Sequence, residues 1–472
     1  MTQVADDDPE RFLSHQVEAE SDEVKHLFDE FYEDGDEDTD DLEQDFDRYS
    51  VAALRRRRRR LANRPESPFK AISLIEEDGV LYWRDDVPTL TSDDRRRRRR
   101  ADSAPSDGSV VWVNEFRTLA PNKIVAAVGA LDKRLNPDIA TALQPRLRSL
   151  RLQPSGVFEF DTKDAKGPFA GRTLLFVHGT FSNANNMRLE FAEAGRPGLQ
   201  FLNRAMQGGR KYDQVLFFDH PTLTVSPFLN ALAVARVLAG SKGEIDVVAH
   251  SRGGLVVRWW LEVFGKSLDP KAQVRAVLAG APIAGTSLAA PDKIQHAMSL
   301  VSNIGSFAEK SLKLLGPANP FLWVAGKLLE VVVSVTGALA KTPLIDALIV
   351  IAPGLSGQSA VSNNHELNSL RAGPVVIDPA YHAVTSNFET SDPGWQFWRN
   401  FRKGRVADLA ASVVFPGNND LVVDTESMTD FGVPALALSG PACDFGTSET
   451  VWHCNYFRQQ KTVDYLLKTF KL

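Results

Sequence analysis

Residues 245–255 read IDVVAHSRGGL: a run suited to a buried strand, then a histidine, a serine, an arginine and two glycines. A serine becomes a usable nucleophile when a strand stops abruptly and pushes it out at a strained bend before a helix. Such a bend needs a small residue two positions before the serine and another two after it, because strand and helix pass close together. Ala249 and Gly253 fill those places around Ser251, with alanine where glycine is usual. Acyl transfer by that serine needs a base for its proton, a carboxylate to orient the base and two backbone N–H groups for the oxyanion. On a strand–serine–helix bend the partners follow in the order serine, acid, histidine. Asp420, in VVFPGNNDLVV, lies just past an apolar run, and among the nine histidines only His453 follows it. His178-Gly179-Thr180 follows the first strong strand, so the main-chain N–H groups of Thr180 and Arg252 are the expected oxyanion donors.

Other residues compete for these roles. Asp424 and Asp430 are rival acids, further from the apolar run than Asp420. Asp219 and His220 are adjacent in FFDHPT, where a relay is hard to form and a structural loop bond is expected. His178 and His250 are expected to orient loops, and Trp259 and Trp260 to pack a helix. Ser251 alone would read equally well as a helix cap, so its ordered partners decide the reading.

The elements that must position these groups are legible from residue 156 onward. RTLLFVHGT, YDQVLFFDH, EIDVVAHS, VRAVLAGAP, HAVTSNF and LAASVVFPG each read as a buried strand ending in a polar or glycine-containing loop. Helix candidates such as PFLNALAVARVLAG and SRGGLVVRWWLEVFG separate some of them. Alternation of strand and helix implies a mainly parallel sheet covered on both faces, with the ligand site beyond the carboxyl ends of its strands. Residues 290–352 break the pattern with an amphipathic stretch, Ile294, Met298, Val301, Ile304 and Leu312 on one side, and then an apolar run of twenty residues. That run is long enough to span a bilayer. Lys327 and Glu330 sit within it, so an apolar cap over the sheet is the expectation.

The chain has 472 residues, 43% hydrophobic and 24% charged, enough for one large core with additions. The net charge of -6 conceals a separation. Residues 1–50 carry twenty Asp and Glu against Arg11, Lys25 and Arg48, a composition that reads as a disordered acidic tail. RRRRRR occurs at Arg55–Arg60 and again at Arg95–Arg100, around a hairpin expected in AISLIEEDGVLYWRDD with its turn at Asp78-Gly79. The division expected is therefore an acidic tail over 1–50, an accessory region over 51–155 and a catalytic domain over 156–472. Every candidate catalytic residue follows position 170, so a chain beginning near Leu152 is expected to keep the chemistry. MTQVADDDPE lacks the basic and apolar regions of a signal peptide, and Cys443 and Cys454 are the only cysteines. Both point to a cytoplasmic setting with two reduced thiols, a bridge between them being the alternative. No cofactor and no metal are expected.

Taken together, residues 172–465 resemble the lipase and esterase branch of the α/β-hydrolase superfamily. VHGT is similar to its oxyanion strand end, AHSRGG to its elbow, GAPIAGTSLA to its post-elbow loop, NDLVV to its acid loop and HCNYF to its histidine loop. The resemblance implies an α/β fold with a helical cap insertion and a triad of Ser251, Asp420 and His453. It implies a serine hydrolase that cleaves a carboxylic ester, and the apolar cap suggests a lipid or other hydrophobic acyl substrate. A thioesterase or acyltransferase would use the same residues. A different kind of rival is an inert hydrolase-fold scaffold acting through its charged N-terminus. That N-terminus suits a protein partner or transient contact with a membrane surface; with no aromatics between the arginines, the two runs are expected to be solvated and partly neutralised by the acidic tail, and nucleic acid is not expected.

Overall fold

The computed structural model describes residues 69–77, 80–84 and 109–117, most of 128–139, and 144–289, 352–391 and 417–472 apart from 374, 377, 378, 390, 434 and 435. These residues fall in two compact units. In the first, β1 (Phe69–Glu77), β2 (Val80–Arg84) and β3 (Ser109–Arg117) form an antiparallel sheet in the order β2-β1-β3. Glu77 pairs directly with Val80, which leaves Asp78-Gly79 as the hairpin loop read from the sequence.

The second unit is built on eight strands in the order β11-β10-β9-β8-β6-β7-β4-β5. Its strands are β4 (Arg146–Leu152), β5 (Phe158–Asp164), β6 (Arg172–Val177), β7 (Gln214–Asp219), β8 (Glu244–His250), β9 (Gln273–Ala279), β10 (Ala380–Phe388) and β11 (Cys443–Ser448). From β7 to β11 all neighbours are parallel, whereas β4 runs antiparallel to both β7 and β5. Helices α1 (Ala184–Ala192), α2 (Gly198–Gln207), α3 (Pro227–Val237), α4 (Gly253–Arg258), α5 (His365–Ala372) and α6 (Gln460–Phe470) accompany them. This is the α/β-hydrolase fold.

Side chains alternate between the faces of a strand, and here both faces are covered. Leu175, Val177, Val247 and Ala249 pack with Ala231, Val234 and Val256 from α3 and α4, while Leu174, Phe176 and Val248 pack with Met187, Phe201 and Leu466 from α1, α2 and α6. Each fully buried Leu, Val or Phe stabilises the fold by roughly 1.5–3 kcal/mol, so the central strands read as apolar runs, interrupted in β8 by the buried Asp246, which pairs with Arg275 on β9 at 2.6 Å. After α4 the backbone widens into a π turn at Trp259–Val263, and both tryptophans are buried. Beneath them the buried Arg258 and Glu262 pair at 2.7 Å.

Two expectations are corrected. The sheet begins at Arg146, not at 156: β4 lies inside it, between β5 and β7. Residues 132–139 also join this unit, for Asp132 accepts the N–H groups of Thr222, Leu223 and Thr224 at 2.8, 3.0 and 2.7 Å. A start near Leu152 would therefore remove part of the hydrolase unit. The cap expected at 290–352 lies outside the described residues except for its last one, Ala352, as does all but the last glycine of LAASVVFPG. Among the described residues no helix is long and apolar enough to cross a membrane.

Candidate active site

β8 ends at His250, and Ser251 takes a left-handed backbone conformation with φ of 53°. Such a conformation costs a non-glycine residue about 1–3 kcal/mol and persists where the surroundings enforce it. Here the Ser251 N–H is tied to the Ala279 carbonyl on β9 at 2.9 Å, and its own carbonyl accepts from Gly254 at 2.8 Å. A Cβ on Gly253 would lie 2.5 Å from the Val177 carbonyl oxygen, and one on Gly254 2.4 Å from the Ala281 Cβ. Both glycines are required by how closely α4 passes the strands; the second was not singled out from sequence.

The turn after β6 runs directly against the serine, since a Cβ on Gly179 would come within 2.7 Å of the Ser251 Cβ. His178 fixes that turn. Its Nδ1 lies 3.0 Å from the Gly179 carbonyl oxygen, and its Nε2 lies 3.2 Å from the His220 N–H and 3.4 Å from Asp219. In a planar trans peptide the carbonyl and the following N–H point in opposite directions, so holding the Gly179 carbonyl also sets the direction of the Thr180 N–H. The Thr180 hydroxyl accepts from Gln358 Nε2 at 2.9 Å. Arg252 stands at the start of α4, where the first N–H groups have no acceptor within the helix. Its fully buried guanidinium donates to the carbonyls of Gly354, at 3.1 Å, and Val225, tying the bend to both loops. Burial pushes that guanidinium down to about 10, so it remains charged at neutral pH.

Asp420 and His453 are brought together: His453 Nδ1 lies 2.8 Å from Asp420 Oδ2, with the aspartate fully buried and the histidine nearly so. The main chain joins them as well, through the His453 N–H on the Asp420 carbonyl at 3.0 Å. Gly280, with φ of 55°, lies alongside the pair, and a Cβ there would fall 3.0 Å from Asp420 Oδ2 and 3.1 Å from His453 Nδ1. Because Gly280 follows the residue that holds the Ser251 N–H, the serine and the His–Asp pair converge at the carboxyl ends of β8 and β9. His250 adds a second tie, donating from Nε2 to the His453 carbonyl at 2.8 Å. Burial first, and then repulsion from His453, pushes the His250 imidazole down to about 4. No direct hydrogen bond joins Ser251 Oγ to the His453 ring among the described residues; such contacts often tighten only when substrate is bound.

The rival residues are placed elsewhere. Asp424 accepts from the Ser287 N–H at 3.1 Å and so fastens the acid loop to the loop after β9, while Asp430 pairs with Arg371 at the surface. Asp219 meets Asn136, the Ala184 N–H and His178, a structural cluster rather than a relay with its neighbour His220. Burial and the neighbouring His178 and Arg252 push His220 well below the usual histidine range. Cys443 and Cys454 are both free thiols. Four contributors went unnoticed in the sequence: Asp132, Asn136, Gln358 and Tyr456. Tyr456 alone lay within a quoted motif, three residues after His453.

Over residues 148–471 the chain matches a family described as a domain of unknown function, DUF7379. The chain belongs to that family. No curated protein sequence matches it. Among solved structures it is similar to lipase 1 from Pelosinus fermentans, with 13% identity, 64% of this chain and 98% of that one covered, and a TM-score of 0.38. It is similar as well to a thermophilic esterase from Thermogutta terrifontis, with 12% identity, coverage of 70% and 98%, and a TM-score of 0.32. The carboxylesterase CesB from Bacillus subtilis gives 12% identity, coverage of 74% and 98%, and a TM-score of 0.29.

Proposed function

We propose that this member of the family is a serine hydrolase that cleaves a carboxylic ester through an acyl-serine intermediate. The observation that carries the reading is the strained Ser251 at the carboxyl end of the central strand, beside a buried His453–Asp420 pair. In the proposed reaction Ser251 Oγ attacks the ester carbonyl carbon while its proton passes to His453 Nε2. The N–H groups of Thr180 and Arg252 stabilise the oxyanion. Collapse of the tetrahedral species breaks the ester bond, and the departing alkoxide takes the proton from His453. Water then repeats the sequence on the acyl-serine, returning the enzyme and releasing the acid. The preference for a hydrophobic acyl group is supported by the apolar composition of residues 290–352.

The test is covalent labelling by a fluorophosphonate, followed by turnover on a panel of esters of increasing chain length. Ser251→Ala should abolish labelling and lower turnover by about 10⁴–10⁶-fold. Labelling that survives in that variant would remove the assignment.

A further inference from the structure

The Asp420 carboxylate accepts four hydrogen bonds. Oδ1 takes the N–H groups of Val422 and Val423 at 3.1 and 2.8 Å, and Oδ2 takes His453 Nδ1–H and the Tyr456 hydroxyl, each at 2.8 Å. We propose that Tyr456 is a positioning residue that shares Asp420 Oδ2 with His453 and so sets how firmly His453 holds the proton taken from Ser251. This deepens the serine-hydrolase reading and rests on it.

An ionised carboxylate is an acceptor only, so both groups on Oδ2 must donate. A donor bonded to a carboxylate draws part of its negative charge. With the phenol in place, less of that charge faces the imidazole, and the imidazolium formed during attack is stabilised less. His453 is thus left able to pass its proton on to the leaving group. Without the phenol, the same oxygen would hold the imidazolium more tightly and the base would saturate with protons at higher pH. Tyr456 is built to stay in this role. It is buried, and there is no room for a Cβ at Gly280, which would lie 2.6 Å from the tyrosine Cε2. Burial and the adjacent Asp420 carry the phenol well above its usual range, so it remains a donor wherever the enzyme works.

The other groups around the pair do not change with the phenol. His250 packs its ring 4.8 Å from that of His453 and is neutral above about pH 4. From α1, Glu190 acts on His250 and pairs with Arg458 at 2.7 Å, and Arg458 and Glu190 both act on Cys454. Asp444, on β11, acts on Tyr456.

The experiment uses the full chain as wild type, as Tyr456→Phe and with 3-fluorotyrosine placed at 456. Two quantities are read between pH 5 and 9: the rate of fluorophosphonate labelling, and the titration midpoint of the His453 carbon resonance in ¹³C-histidine protein, assigned with His453→Gln. Tyr456→Phe should move the acid limb and the midpoint up by roughly 0.5–1 pH unit, which slows labelling at pH 6 about three- to tenfold more than labelling at pH 9. Fluorotyrosine, a stronger donor, should move both the other way, and it decides the matter if the phenylalanine variant fails to fold. A lower plateau with an unmoved limb and midpoint would make Tyr456 mere packing and overturn the proposal. If the wild type is not labelled, the hydrolase reading fails, while the His453 midpoint still tests the sharing of Asp420.

Discussion

At the scale of single residues, geometry separates candidates that composition leaves level. Asp420, Asp424 and Asp430 lie within eleven residues of one another, yet only Asp420 touches the His453 ring. Asp420→Asn should therefore lower turnover by about 10⁴-fold through loss of the imidazole's orienting partner. Asp424→Asn and Asp430→Asn should each stay within about tenfold of wild type, since they disturb a loop fastening or a surface pair. A larger loss on the esterase assay from either of those would mean that the acid is misassigned. His250 provides a pH test. Its imidazole is held near 4 in the folded chain against about 6.5 when unfolded, so between those values the unfolded state binds more protons. The stability it contributes is complete above about pH 6.5 and is lost as the pH falls toward 4. Melting temperatures recorded from pH 7 to 4.5 should fall less steeply for His250→Gln than for the wild type. A residual slope is expected, because His220 is depressed in the same direction. Parallel curves would show that folding does not hold the His250 imidazole below its ordinary range.

At the scale of elements, what was legible in the sequence follows from burial. β6 to β9 are covered on both faces, so RTLLFV, QVLFFD, EIDVVAH and QVRAVLA read as apolar runs, and the polar loops at their ends place the chemistry. β4 escaped because RLRSLRL buries only Leu147 and Leu150 among arginines that form surface pairs. β11, CDFGTS, escaped because Cys443 is its one buried residue, and it is the last strand of the sheet. The pairing of Asp420 with His453 needed only loop positions and could be read; Asp132 and Tyr456 act by contacts that no spacing reveals. The same contacts reverse the expected tolerance to truncation. A chain starting at Gln153 loses β4 and leaves the buried N–H groups of the Thr222–Thr224 loop without their carboxylate, each orphan costing about 1–3 kcal/mol. It should be insoluble or unlabelled, whereas a chain starting near residue 120 should fold and label. Equal labelling of the two would show that β4 and Asp132 are dispensable.

At the scale of the whole molecule, the sequence separates opposite charges by only a few residues: twenty acidic side chains before position 51, and twelve arginines in two runs between 55 and 100. Every residue assigned to the chemistry lies after 170, and the segment that supports it begins at Asp132. We propose that the charged region serves binding and leaves turnover unaltered. Each basic side chain near an anionic membrane surface contributes about 1 kcal/mol, an attraction that an acidic stretch in the same chain would offset. Exposed charges are screened over about 10 Å at 0.1 M ionic strength. Removal of residues 1–50 should then strengthen binding to phosphatidylserine-containing vesicles at low salt, and the gap to the full chain should close as salt is raised. Turnover on a short soluble ester should be the same for both, because Ser251, Asp420 and His453 all lie outside the deleted residues. Vesicle sedimentation at 20 and 300 mM salt measures the first effect and the ester assay the second. Equal sedimentation of the two chains at low salt would show that the acidic stretch does not mask the arginines, and altered turnover would tie residues 1–50 to the catalytic unit.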